Sequence, residues 1–290
     1  MTEASAPPPA PTRRRVRLPK VLTSPVAVVG GGIVAFWCLV AIFAPLIAPY
    51  SPVAQFTPFL PLGGTDPEGR VFVLGTDHLG RDLMSRVIWG ARRVLLYSVA
   101  ATASAYAVGV TMGLVAGYLR GWVDDVISTV ANIVLSFPVL VLYVVLISVY
   151  GASVINIMLA ITFASAPGIM RIVRGVVFDL RNRDYVASAQ TRGESAGYIM
   201  FFEILPNATS LLIVDACLRL GYVTITIGVL GFLGLGLPPP QPDWGGMVNE
   251  TRSMAGFAPH LTLVPCLAIS SLVLGLNLLA DGLRETELKD

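Results

Sequence analysis

Long apolar stretches, broken by short polar ones, leave this chain few folds to choose from. A helix that crosses a bilayer needs about 20 consecutive, mostly apolar residues. Stretches of that kind lie near residues 25–48, 94–119, 126–149, 153–177, 208–235 and 261–279. Only 13% of the 290 residues are charged and 54% are hydrophobic, against roughly 25% charged in an average soluble domain. The chain is therefore too poor in charge to coat a soluble core, and too apolar to be disordered. A net charge of +2 gives no reason to expect nucleic acid as a partner. The fold class expected is an all-α polytopic membrane protein with six transmembrane helices, its partner surface a lipid bilayer. Cys38, Cys217 and Cys266 each sit in an apolar stretch and read as small buried hydrophobes, not as a disulfide or metal set.

Local signals refine this picture. Pro138 and Pro167 are expected to kink their helices. Tyr150-Gly151-Ala152 reads as a tight surface turn. Ala103, Gly109, Gly113 and Gly117 give the second stretch the small-residue spacing that lets helices approach closely, and Gly30-Gly31-Gly32 reads the same way. The tail, residues 1–24, carries Pro7, Pro8, Pro9 and Pro11, then Arg13, Arg14, Arg15, Arg17 and Lys20, and is expected to be disordered, basic and cytoplasmic. Six crossings from an inside N-terminus put 49–93 and 236–260 outside. They put the loop 178–207 and the short tail 286–290 inside. The arginine distribution agrees, except for an external cluster at 81–93.

The loop 178–207 is too ordered in pattern to be a plain connector. Tyr185, Val186, Ala189, Gly193 and Ala196/Gly197 recur at helical spacing, while Ser188, Gln190, Arg192, Glu194 and Ser195 take the other face. Asp184 is placed to cap the first turn. A second helical piece over 198–204 is expected to end at Pro206. Such a hairpin, with a face of small side chains, suits the docking of a cytoplasmic protein. An amphipathic helix lying on headgroups is the other reading, although such helices usually carry larger apolar residues and flanking Lys. In the fifth stretch Asp215 and Arg219 stand one turn apart. They either line a wet path or neutralise each other at a helix interface. Asn156, Asn277 and Asp281 read chiefly as caps or interhelical hydrogen bonds.

The loop resembles the coupling signature of ATP-binding-cassette importer permeases, with Ala187-Ser188-Ala189, Gly193 and Ile204-Leu205-Pro206-Asn207 in the matching places. Four other blocks are similar to one subfamily, the second permease of dipeptide/oligopeptide importers. They are Leu74-Gly75-Thr76-Asp77-His78-Leu79-Gly80-Arg81-Asp82 with Ser85-Arg86 and Gly90-Ala91-Arg92; Ser136-Phe137-Pro138; Phe232-Leu233-Gly234-Leu235-Gly236 with Trp244-Gly245; and Leu276-Asn277-Leu278-Leu279-Ala280-Asp281-Gly282-Leu283-Arg284. The resemblance covers about residues 16–285 and implies a core permease domain over 94–285. It implies a prokaryotic inner-membrane subunit with both termini inside, moving peptides by alternating access. The partners implied are a homologous second permease, two cytoplasmic ATPases that hold the ATP and Mg, and an extracytoplasmic binding protein. No cofactor is expected in this chain.

On this resemblance the ATPase-coupling residues are Asp184, Tyr185, Ala187, Ser188, Ala189, Gly193 and Glu194. The family's usual glutamate is Ala187 here, and Glu194 and Asp184 are the nearest acids that could replace it. Glu203 stands where a histidine is common. Asp77, Arg81, Asp82 and Trp244 form an expected external platform, in which Asp77 and Asp82 pair with Arg81 or Arg86. The run Leu237-Pro238-Pro239-Pro240-Gln241-Pro242, with Asp243 and Trp244, is expected to be a stiff rim. His78 and His260 are too isolated for a metal site. The chain has no Gly-x-x-x-x-Gly-Lys-Ser/Thr segment. Two other functions are compatible with a membrane bundle: an ion- or proton-coupled carrier, which would favour paired repeats and midplane acids, and a membrane enzyme, which would need a convergent side-chain cluster.

Overall fold

The computed structural model describes residues 24–238 and 240–287. The basic tail, Pro239 within the proline run, and the last three residues lie outside the described residues. The helices are α1 (Pro25–Ile42), α2 (Ala44–Ile47), α3 (Leu83–Leu119), α4 (Gly121–Leu135), α5 (Val139–Tyr150), α6 (Val154–Leu180), α7 (Asp184–Thr191), α8 (Ala196–Tyr198), α9 (Leu205–Phe232), α10 (Trp244–Thr251) and α11 (Pro259–Glu287). A small hairpin, β1 (Gly64–Thr65) against β2 (Val71–Phe72), lies between α2 and α3. Five helical stretches are long and apolar enough to cross a membrane, and the bent pair α4–α5 makes a sixth candidate.

Caps decide several helix starts. The Asp82 carboxylate accepts from Ser85 N at 2.8 Å, so α3 begins at Leu83 and runs 37 residues. This corrects the expected start at 94: residues 83–93, with Arg86, Arg92 and Arg93, belong to the helix and not to an external loop. The first span likewise stops at Ile42, and Pro45 lies in the first turn of α2. Ser153 caps α6 from its side chain. Asn156 donates to Tyr150 O and Gly151 O, closing the expected turn, where Gly151 has φ +87°.

Close packing sets the directions of the helices. Ser104 Oγ meets Thr162 Oγ1 at 2.6 Å. A Cβ built on Gly109, Gly113 or Gly117 would lie 2.6–2.7 Å from the Cβ of Ile169, Val173 or Val177 respectively. The two series ascend together, so α3 and α6 run parallel. Over the stretch from Val154 to Val177 that is a height of about 35 Å at 1.5 Å per residue, and α4 and α5 must carry the chain back across it. They do so although they are bent by 88° at Ser136-Phe137-Pro138, where a single kinked rod was expected. Pro167, by contrast, lies within an unbroken α6.

Helices α9 and α11 are antiparallel, with Gly221 facing Leu276 and Asn277, and Gly228 facing Ile269. Helices α1 and α11 are antiparallel too: Gly30 meets Gly275 and Leu279, Trp37 Nε1 donates to Ser271 Oγ at 3.0 Å, and Ser24 Oγ donates to Glu285 at 3.0 Å. With Tyr106 and Ser98 of α3 opposite Asp215 and Thr224, α9 opposes α3 as well. Ser24, the turn at Arg120, the α7 hairpin and Glu285 thus share one side of the bundle. The β1–β2 module, Gly151 and α10 share the other.

Candidate functional site

The hairpin between α6 and α9 is fixed from inside. Val186 and Ala189 are fully buried, in a cluster with Tyr118 of α3, Val173 and Val177 of α6, and Ile199, Met200, Ile204, Ala208 and Leu212. Gln190 Nε2 donates to Tyr118 Oη at 3.3 Å. Helix α7 ends in a glycine C-cap: Gly193 has φ +79°, its N–H donates to Gln190 O, and the Glu194 N–H reaches back to Ala189 O, a pairing that satisfies the last carbonyls. Arg192 joins the two limbs through Glu203, at 3.1 Å, with Glu194 at 3.8 Å. The acid standing where the family often has histidine is thus part of the hairpin's own brace.

Burial reverses part of the sequence reading. Of the small apolar face, Val186 and Ala189 turn inward, so Ala189 packs against its own chain, while Gly193, Ala196 and Gly197 stay exposed. Asp184, Ala187, Ser188, Thr191 and Arg192 line a shallow depression on the outer face of α7. Asp184 is the first helical residue and makes no side-chain cap; Arg183 holds the capping position. It still places negative charge on the first turn, where the helix dipole favours it. Tyr185 is half-buried beneath, and burial pushes its phenol above the usual value. Pro206 does not end the second limb. A π-helical turn, Ile199–Ile204, precedes it and runs into α9, with the Leu205 N–H reaching Met200 O. The wide turn admits a residue that has no N–H to give.

Midway along α9, Arg219 Nε donates to Asp215 at 2.7 Å. Sequence spacing anticipated this pair but not its neighbours: Tyr106 of α3 donates to the same Asp215 oxygen, and the Arg219 guanidinium lies over Gly168 of α6. Both side chains of the ion pair remain about one-fifth exposed, at 21% and 18%. Nothing in the spacing of three separate helices marks these residues as neighbours.

On the opposite side, Asp77 accepts from Arg81 Nε at 2.6 Å and faces Arg86 Nε at 3.7 Å. Glu250 of α10, which sequence reasoning missed, takes Arg81 and Arg86 at 2.5 and 3.1 Å. Asp82 is a helix cap, not an ion-pair partner. Trp244 is fully buried; its Nε1 donates to Val87 O at 2.9 Å and its ring meets Trp37 edge-on. It therefore anchors the platform from below and offers nothing to its outer surface. Asp243 caps α10 through Gly246 N at 3.0 Å. Burial pushes its carboxyl up to about 6, against hydrogen bonds from Gly246 and Gly245 that lower it.

A multi-pass helical bundle with one rigid surface hairpin, a charged platform opposite and an ion pair between them has the form of a membrane transport component. Comparison agrees. Residues 109–285 match the family of binding-protein-dependent transport system inner membrane components, and residues 20–61 match the N-terminal transmembrane domain of oligopeptide transport permease C. The chain is 38% identical over 260 residues to a dipeptide transport system permease protein of Alkalihalophilus pseudofirmus, covering 90% of this chain and 84% of that one. It is 39% identical over 247 residues to a di/tripeptide transport system permease protein of Pseudomonas aeruginosa, covering 84% and 82%. A glutathione transport system permease protein of Pectobacterium atrosepticum is 39% identical over 212 residues, covering 73% and 70%. Among solved structures, the inward-facing MetNI methionine ABC transporter aligns with TM-score 0.58 at 17% identity, covering 72% of this chain and 98% of that one; this likeness concerns the fold. The chain belongs to the binding-protein-dependent transport system inner membrane component family and has the type I ABC importer permease fold. It is a transport component, and nothing supports the ion-coupled alternative.

Proposed function

We propose that this chain is one of two homologous permease subunits of an importer that takes peptides from an extracytoplasmic binding protein. Two cytoplasmic ATPases drive it and bind the ATP and Mg. The hairpin side of the bundle, with both chain ends, faces the cytoplasm. The peptide assignment rests on the names of the relatives above.

One observation carries the coupling role. Val186 and Ala189 on the inner face of α7 are fully buried against the ends of α3, α6 and α9, with Tyr185 half-buried beside them, while Asp184, Ala187, Ser188, Thr191 and Arg192 line its exposed outer face. A helix with one face locked and the other free moves as a body with the helices beneath it. An ATPase seated on the outer face then tilts α3, α6 and α9 together, a rigid-body switch between two states. Asp184, at the start of the face, supplies the carboxylate that Ala187 lacks; Glu194 is engaged with Arg192. The pair Asp215–Arg219, only partly exposed, lines the path along which a zwitterionic peptide passes.

The test is crosslinking in the assembled transporter. Cysteine at Ser188, in a background free of Cys38, Cys217 and Cys266, should crosslink to an ATPase subunit, with a yield that changes on ATP binding. Crosslinking only to lipid-phase reagents, and never to an ATPase, would overturn the assignment.

A further inference from the structure

Between the end of α9 and α10 lies a cleft of about 210 Å³. Arg86, Gln241, Asp243, Asn249 and Glu250 are its polar lining. Two ionised side chains in its wall are nearly inaccessible, Arg86 at 2% and Asp243 at 3%. Each is only partly matched. Arg86 gives Nη2 to Glu250 and faces Asp77 with Nε, but its Nη1 has no partner. Asp243 Oδ2 accepts from Gly246 N in the cap of α10, but its Oδ1 has no partner. Arg93, bonded to Gln241 at the rim, leaves its Nε unmatched as well. Buried charges that keep one free polar atom are costly unless something satisfies them.

The surroundings are built for that carboxylate. A Cβ on Gly231 would lie 2.2 Å from Asp243 Oδ2, and one on Gly236 2.9 Å from it. A simple anion here would meet Asp243 and Glu250, and a simple cation would meet Arg86 and Arg93. A molecule carrying both signs meets a free acceptor and free donors at once, with the Gln241 and Asn249 amides beside it.

We infer that this cleft binds a small zwitterion, taking an ammonium group at Asp243 and a carboxylate at Arg86, as the two ends of an amino acid or very short peptide provide. The inference rests on the peptide reading above and adds an outer subsite to it. At about 210 Å³ the cleft is below the usual range for drug-sized ligands and fits a ligand of one or two small residues.

The experiment uses the complete transporter in nanodiscs, without binding protein, and measures equilibrium binding of radiolabelled diglycine. Saturable binding should appear, competed by unlabelled diglycine and not by N-acetyl-diglycine amide, which lacks both charges. Asp243→Asn, which keeps a capping side chain, and Asn249→Leu, which narrows the cleft, should each weaken binding at least tenfold. Absence of saturable binding to the wild type overturns the inference and leaves a cleft filled by water. So does binding that both variants retain, or binding lost in Arg219→Gln alone, which places the ligand at the mid-bundle ion pair. ATP-driven uptake of peptides by the same transporter with its binding protein separates the two readings. If uptake persists without cleft binding, only the subsite falls; if no peptide is taken up, the substrate assignment falls.

Discussion

Asp243 shows how much one residue can hold when its surroundings are glycine. Its carboxyl, normally at 3.8, is raised to about 6 by burial. The protonated form is the one the fold prefers, so this contribution to stability is full below about pH 4 and is lost as pH rises through about 6. A rise of that size corresponds to about 3 kcal/mol. Asparagine caps helices as well as aspartate does. Asp243→Asn should therefore unfold at a higher temperature than the wild type at pH 8, and should lose the decline in thermal stability between pH 4 and 7. A scan of melting temperature against pH in detergent measures both. Trp244 teaches the complementary lesson about reading sequence. It stands in an external block beside a proline run, and a rim residue was the natural expectation. Its burial depends on Val87 and Trp37, 157 and 207 positions away, and no local pattern announces such partners.

At the scale of elements, the glycine spacing of α3 was legible and its partner was not. Gly109, Gly113 and Gly117 marked a close helix contact from sequence. Only the structure shows that α6 fills it, in parallel and in step. Gly113→Leu would drive a side chain into Met170 O at 2.8 Å and Val173 Cβ at 2.6 Å. The expected cost is at least 1–3 kcal/mol, read as a lower melting temperature and as loss of transporter assembly on size exclusion. The α7 hairpin was likewise visible as a helix, but the inward turn of Ala189 was not. Small residues there serve burial against α9 and the π-turn, and a helix of eight residues reads ambiguously when both faces are lean. Ala187→Trp on the outer face should insert and fold normally, while substrate-stimulated ATP hydrolysis drops about tenfold or more. ATPase assays with and without binding protein check this. The start of α3 was missed because Asp82, a cap, reads from sequence as one more platform charge.

For the molecule as a whole, counting apolar stretches gave six crossings, against five long apolar helices and one bent pair in the structure, and the interhelical registers alternate in the same sense. Single cysteines at Ser188 and Gly69, in the cysteine-free background, should label oppositely with a membrane-impermeant maleimide: Gly69 in intact cells or right-side-out vesicles, Ser188 only after permeabilisation. The reverse pattern would invert the proposed orientation. What length and hydropathy could not convey is the long-range closure: Ser24 against Glu285 and Arg81 against Glu250 join residues 261 and 169 positions apart.

The elbow between α4 and α5 has a consequence for how the subunit sits among its neighbours. At Ser136-Phe137-Pro138 the chain turns through 88°, and residues 135–141 are all uncovered by the rest of the chain. Hydrocarbon does not tolerate unpaired peptide groups, and although the N–H groups of Ser136 and Phe137 are bonded within the elbow, the first N–H groups of α5, like those of any helix start, have no partner inside their own helix. In the two-permease assembly proposed above, the expected cover for that flank is another polypeptide or an aqueous lumen, so the broken rod would mark the meridian of the bundle turned toward the centre of the transporter.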